Sequence, residues 1–133
     1  MTDMSDFHDQ SFDFILDKGC FDAALAGAGD VWNPNVESIR MAYKALLEIS
    51  RLLCPGGVFL QISLSQPHFR KMYLLGQYTT KEVEVEEAEE ADYHKRTAMY
   101  IPSTCPFGWD CRVEEVGNNS HCFSHFMYIM TKL

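Results

Sequence analysis

Two short polar groups, each closing an apolar run, carry the chemistry this chain can offer. Asp17-Lys18-Gly19 ends the run FDFIL, and Ser65-Gln66, with His68 two residues on, ends the run VFLQISL. Ligands in an open α/β sheet gather at the carboxyl ends of the parallel strands, so both groups stand where a ligand would lie. An ammonium at Lys18 can meet a carboxylate, and Gly19 lets a ligand approach the backbone. The plainer reading of Lys18 is a solvated residue at a strand end. A second set, Cys105, Cys111, His121, Cys122 and His125, invites a zinc reading. Its C-x5-C and H-x3-H pairs, nine residues apart, miss the spacing of zinc fingers. His121 and Cys122 are also neighbours that point to opposite faces of a strand. No metal is expected.

The elements that must position these residues are legible from periodicity. Phe12–Asp17 is an apolar, aromatic run that reads as a buried strand breaking at Lys18-Gly19. Phe21–Ala26 supplies one or two helical turns closing at Gly27, and GAGDVWNPN reads as loop with Asn33-Pro34 as breaker. From Val36 the period becomes helical, with Ile39, Met41, Tyr43, Leu46, Leu47, Ile49, Leu52 and Leu53 as the apolar stripe. Glu37 and Arg40, and Lys44 and Glu48, are spaced to pair on its outer face. The helix is expected to stop at Pro55-Gly56-Gly57, before a second strand over Val58–Leu64. Pro67 opens a further helix over PHFRKMYLLGQ. Trp109–Val116 and Cys122–Thr131 read as strands joined by a hairpin turn at Gly117-Asn118-Asn119-Ser120. The order β-α-β-α-β-β predicts two parallel strands with crossover helices, closed by an antiparallel hairpin.

Composition narrows the functional classes. Eleven Lys and Arg face nineteen Asp and Glu, a formal charge of −8, which excludes nucleic-acid binding by general basicity and a polybasic membrane anchor. Seven of the acids (Glu82, Glu84, Glu86, Glu87, Glu89, Glu90, Asp92) fall in one stretch without a base, and removing them brings −8 to −1. The acidity thus belongs to one segment, read as a solvated, mobile insertion over 81–96 that could also steer a basic partner. No apolar run reaches the ~20 residues of a membrane span, and the amino terminus lacks the basic and apolar regions of a signal peptide. Five scattered cysteines, an odd number, read as reduced cytosolic thiols packed as small hydrophobes, so a cytoplasmic location is expected.

The order of motifs carries a resemblance. SFDFILDKGCFDA, LLEISRLLCPGGVFLQISLSQPHFR and FGWDCRVEEVG…CFSHFMYIM, taken together, resemble the second half of a class I S-adenosylmethionine-dependent methyltransferase. More narrowly they are similar to the group containing lysine methyltransferases of elongation factor 1-alpha and citrate synthase. The matching positions are Ser11-Phe12-Asp13, Asp17-Lys18-Gly19, Asp22-Ala23, Glu48, Arg51, Leu53, Pro55-Gly56-Gly57, Pro67-His68-Phe69-Arg70 and Gly108-Trp109. Cys20 stands where the group usually has threonine. ILDKGC also looks like the glycine-rich first motif of the fold. Phe21 and Ala23, however, occupy the places of its later glycines, and only one helix separates it from the PGG turn.

The resemblance therefore implies an α/β chain, with 1–133 forming the C-terminal half of a Rossmann-like seven-stranded methyltransferase domain. The glycine-rich cofactor half is absent from these residues, and a truncated or alternatively spliced product is expected, inactive alone. S-adenosylmethionine is the implied cofactor of the complete domain, with Thr2, Asp17, Lys18 and Gly19 on its side. Thr2 enters because relatives carry an Asp-apolar pair seventeen residues before the lysine, which falls on Met1-Thr2 here. Asp22, Ser65, Gln66 and His68 fall on the acceptor side. Asp22 either orients a lysine substrate or caps the short helix, and for His68 packing or capping is an equal alternative. Trp109, Phe123, Phe126 and Tyr128 are expected in the core of the hairpin rather than in a methyl-lysine cage. Methyl transfer from a sulfonium needs positioning and desolvation of the amine, so no catalytic base is nominated. The implied partner is a protein substrate of the elongation factor 1-alpha kind, with no nucleic acid and no membrane. The alternative is a non-catalytic protein-binding module that pairs through the exposed edge of the Phe12–Asp17 strand.

Overall fold

The computed structural model describes residues 2–78, 105–117 and 124–133. Strand β1 spans Phe12–Lys18, helix α1 Cys20–Leu25, the short strands β2 and β3 Gly29–Asp30 and Asn33–Pro34, and helix α2 Val36–Leu52. Strand β4 covers Leu53–Ser63, helix α3 Pro67–Leu74, and strands β5 and β6 Trp109–Val116 and His125–Lys132. The expected strand–helix–strand unit and closing hairpin are therefore present. The main sheet has the order β1-β4-β6-β5, with β1 parallel to β4 and the other two pairings antiparallel. The last strand thus returns between β4 and β5, which leaves β1 at one edge among the described residues. This α/β arrangement agrees with the carboxyl-terminal part of the Rossmann-like fold that the motifs imply.

Helix α2 starts where Asn35 caps it, its side chain accepting from the Ser38 amide at 2.8 Å. The buried face consists of Ile39, Ala42, Ala45, Leu46, Ile49, Ser50 and Leu52. Leu47, expected in the stripe, is 41% exposed, and the small Ala42 and Ala45 are fully buried in its stead. Glu48 was expected to pair with Lys44, but its carboxylate is engaged elsewhere. It takes Arg51 Nε and Nη2, both at 2.9 Å, and the Met4 amide at 3.0 Å. Arg51 also donates to the carbonyls of Met4 and Phe7 and to Asp9, all within 3.0 Å. One helix end thereby holds the segment that precedes β1.

Pro55-Gly56-Gly57 does not separate helix from strand; α2 ends at Leu52 and β4 begins at once. The pairing moves from Phe12–Leu53 to Phe14–Val58, so the PGG residues swell one side of the ladder as a bulge. Gly57 is required there, because a Cβ would stand 2.9 Å from the Cys54 carbonyl oxygen and 3.1 Å from that of Asp13. The loop expected over GAGDVWNPN contains the small antiparallel pair β2–β3, with Val31 and Trp32 at its tip. The core lies on the helix side of the sheet, where Phe21, Leu46, Phe59, Leu74, Phe107, Trp109, Tyr128 and Met130 pack together. On the opposite face Phe14 and Leu16 are each 54% exposed.

Other expectations meet the structure unevenly. Cys105 and Cys111 pack against the core and Cys54 is half-buried, but Cys20 is exposed, because α1 turns that side outward. No helix among the described residues is long and apolar enough to cross a membrane. The acidic segment 81–96, the tip residues Asn118, Asn119 and Ser120, and His121, Cys122 and Phe123 lie outside the described residues.

Candidate functional site

The parallel pair β1–β4 directs Asp17-Lys18-Gly19 and Ser63-Leu64-Ser65-Gln66 to one end of the sheet, with Lys18 in register with Ile62. Gly19 turns the chain with φ +79° into α1, and its amide donates to the Ile62 carbonyl at 3.3 Å. That backbone conformation disfavours any L side chain, and no atom stands within 4 Å of where a Cβ would lie. The strand end is thus open beside Gly19, and Lys18 is exposed.

Asp17 has a different fate from its neighbour. It is buried, and its carboxylate accepts from the amides of Cys20 (2.8 Å) and Phe21 (3.3 Å) and from Gln61 Nε2 (2.8 Å). The carboxylate therefore caps α1 and ties β1 to β4. Asp22 neither caps the helix nor stands free. Its Oδ1 accepts from Ser63 Oγ and Arg70 Nη2, both at 2.5 Å, and its Oδ2 accepts from the Leu64 amide at 3.2 Å. Both acids act as cross-links, Asp17 through the register of β1 against β4 and Asp22 from the first turn of α1.

Arg70 is the centre of this network. It is 3% exposed, and its Nε and Nη1 have no hydrogen-bond partner among the described residues, nor has Gln61 Oε1. Burial drives its pKa down from the usual guanidinium value, against the opposing pull of Asp22. Tyr128 completes the frame by donating its hydroxyl to the Ser65 carbonyl at 2.6 Å, and burial raises its pKa. Ser65 also receives support through its amide, which donates to Ser63 Oγ at 2.9 Å. Strand β1, the β4–α3 connection and β6 are thus locked by buried polar contacts.

Gln66 and His68 remain accessible. Gln66 stands just before α3 with an extended backbone, and its carbonyl receives the amides of Phe69 and Arg70 at 3.0 Å. His68 lies 5.3 Å from the ring of Trp32 and 5.1 Å from that of Phe69, so it packs in an exposed aromatic group. Trp32 is 69% exposed. A cavity of about 460 Å³ opens beside Gln66, lined also by Leu64, Glu115, Ser124 and Phe126.

Thr2 is not brought to this end. Two residues on, Met4 is bound to Glu48 and Arg51 near the carboxyl end of α2, where β4 begins. That is the opposite end of β1, and seven strand residues separate the two ends by about 20 Å. Trp109 is core, as expected, with Nε1 donating to the Leu74 carbonyl at 2.9 Å. Tyr128 is core as well, and Phe126 packs against the core while also bordering the cavity. Sequence reasoning named Arg70 only as part of a motif and missed Gln61, Trp32 and Glu115. An arginine three residues past a helix-opening proline, with Asp22 upstream read only as a substrate-orienting or capping residue, was the one available signal.

Comparison with known proteins adds a second line. The chain is 48% identical over 65 residues to EEF1A lysine methyltransferase 4 of Mus musculus, covering 49% of this chain and 26% of that protein. The Bos taurus protein of the same name is 41% identical over 64 residues, covering 48% and 25%. The Homo sapiens eEF1A lysine and N-terminal methyltransferase is 38% identical over 71 residues, covering 53% and 9%. The match therefore spans about a quarter or less of the length of these curated relatives. No protein-family model matches the chain. Among solved structures, a SAM-dependent methyltransferase from Methanosarcina mazei aligns with TM-score 0.47 and 20% identity, over 99% of this chain and 64% of that one. A Thermus thermophilus DNA modification methylase gives 0.49 and 10%, over 96% and 47%. Both likenesses are too distant to bear on function. In sequence, this chain resembles the class I methyltransferases, and within them the eEF1A lysine methyltransferases.

Proposed function

We propose that these residues are the carboxyl-terminal portion of an S-adenosylmethionine-dependent protein-lysine N-methyltransferase of the cytoplasm, with an elongation factor 1-alpha-like protein as substrate. The observation that carries this reading is the 48% identity to a lysine methyltransferase, with Lys18 and Gly19 at an open strand end. S-adenosylmethionine supplies a methyl group on an activated sulfonium, so the protein has to hold and orient rather than to activate. Lys18 offers an ammonium to the cofactor carboxylate, and Gly19 leaves its backbone accessible. Ser65, Gln66 and His68 border the acceptor side. Asp17, Asp22 and Arg70 act indirectly, by fixing the two strand ends against each other. The acids of 82–92 steer a basic substrate.

No glycine-rich loop follows a strand in these residues, so by themselves they retain no cofactor and transfer no methyl group. Calorimetric titration of S-adenosylmethionine into the 133-residue chain is expected to show no binding, and a micromolar affinity refutes that part of the reading. The longest coding sequence containing these residues, given labelled S-adenosylmethionine and elongation factor 1-alpha, is expected to label a lysine. Absence of label overturns the enzyme reading. A second reading, a non-catalytic protein-binding module, is favoured by one observation. Among the described residues β1 pairs only with β4, and its Phe14 and Leu16 are half exposed.

A further inference from the structure

Strands β4, β6 and β5 bring Ser63, Phe126 and Glu115 into one row across the sheet, at the same end as Lys18 and Gly19. The 460 Å³ cavity sits on that row, and such a volume falls in the range that takes small ligands. Among the described residues, Leu64 and Phe126 are its apolar walls, Gln66 and Ser124 its neutral polar ones, and Glu115 is the one charged residue that lines it. A carboxylate with no cationic neighbour on the described lining favours a cation, and two apolar walls favour a cation on an aliphatic stem. An acidic side chain would meet like charge at Glu115.

We propose that this cavity is the seat of the substrate lysine side chain, with Glu115 as the specificity-determining residue that receives its ammonium while Leu64 and Phe126 cover the methylene stem. The inference rests on the lysine methyltransferase reading and deepens it, because it names an acceptor-side residue on β5 that lies 49 residues beyond Gln66 in the chain. Glu115 is exposed and makes no bond within the buried frame around Arg70, so replacing it leaves the fold intact.

The test is an amide-resolved NMR titration of the 133-residue chain with N-acetyl-lysine methylamide, using the norleucine and glutamate analogues as controls. The lysine compound is expected to shift the amides of Gln66, Glu115, Ser124 and Phe126, and the two controls are expected to leave them in place. Glu115→Gln is expected to weaken lysine binding at least fivefold with an otherwise unchanged spectrum, and Glu115→Asp to restore part of it. Shifts that are equal for lysine and norleucine, or unchanged by Glu115→Gln, overturn the assignment, as does the absence of shifts at these amides. The titration needs no cofactor. A cleft that rejects lysine therefore refutes the cleft, whereas missing methyl transfer with intact lysine binding refutes the enzyme reading.

Discussion

Removing the charge of Asp22 is expected to destabilise the protein more than removing the arginine it faces. Arg70 is 3% exposed and has Asp22 as its ion-pair partner at 2.5 Å, with Nε and Nη1 unpartnered among the described residues. Asp22→Asn keeps the shape but strands a buried guanidinium, and breaking a buried pair in this way costs ~3–5 kcal/mol. Arg70→Met removes the charge together with its two unpartnered donors. The Asp22 carboxylate that remains is partly exposed, at 28% of its side chain, and keeps Ser63 Oγ and the Leu64 amide. That variant is expected to lose ~1–2 kcal/mol, the scale of a single charged hydrogen bond. In the double variant the introduced amide no longer faces a stranded cation, so the loss should resemble that of Arg70→Met alone. The coupling is then ~3–5 kcal/mol, the whole Asp22→Asn loss, read from urea unfolding of the four proteins in a double-mutant cycle. Additive losses, or an Asp22→Asn loss smaller than that of Arg70→Met, would refute the reasoning.

Gly57→Ala forces a Cβ against the Cys54 and Asp13 carbonyls, which belong to the backbone and yield little, so a loss of ~1–3 kcal/mol is expected in the same unfolding assay. Burial pushes the Cys111 thiol up from 9.0 to about 11, while Cys20 is exposed. Iodoacetamide at pH 8 should therefore label Cys20 at least tenfold faster than Cys111, as read by peptide mass spectrometry. The same shift links to stability. Protonated Cys111 supports the fold fully below pH 9.0, and that contribution is lost as pH rises through about 11. Cys111→Ala should flatten this alkaline slope, and an unchanged slope would show that the thiol is not its source.

Much of the scaffold was legible in the sequence because it rests on local regularities. Period-2 and period-3.6 hydrophobicity located β1, α2 and β4 to within a residue or two, except where the PGG residues joined the strand. Turn chemistry reads PGG as a break, yet the ladder absorbed it as a bulge because Gly57 lets two backbone carbonyls come close. The Glu48–Lys44 pairing failed for a similar reason, since a tertiary partner, the segment held by Arg51, competed for the carboxylate.

The candidate site divides along the same line. Residue types and order alone determined that Lys18 and Gly19 end one strand and that Ser65 and Gln66 follow another, because strand ends are marked by local signals. The fates of Asp17 and Asp22 were settled only by the tertiary structure. Their partners Gln61, Ser63 and Arg70 lie 41 to 48 residues away and reach them through the register of β1 against β4. The place of β6 between β4 and β5, which brings Glu115 and Phe126 to the same end as Gln66, was likewise a matter of strand order. Hydrophobic periodicity states which residues face a core, but it carries no information about which strand lies beside which. That choice is made by packing of the whole sheet against its helices.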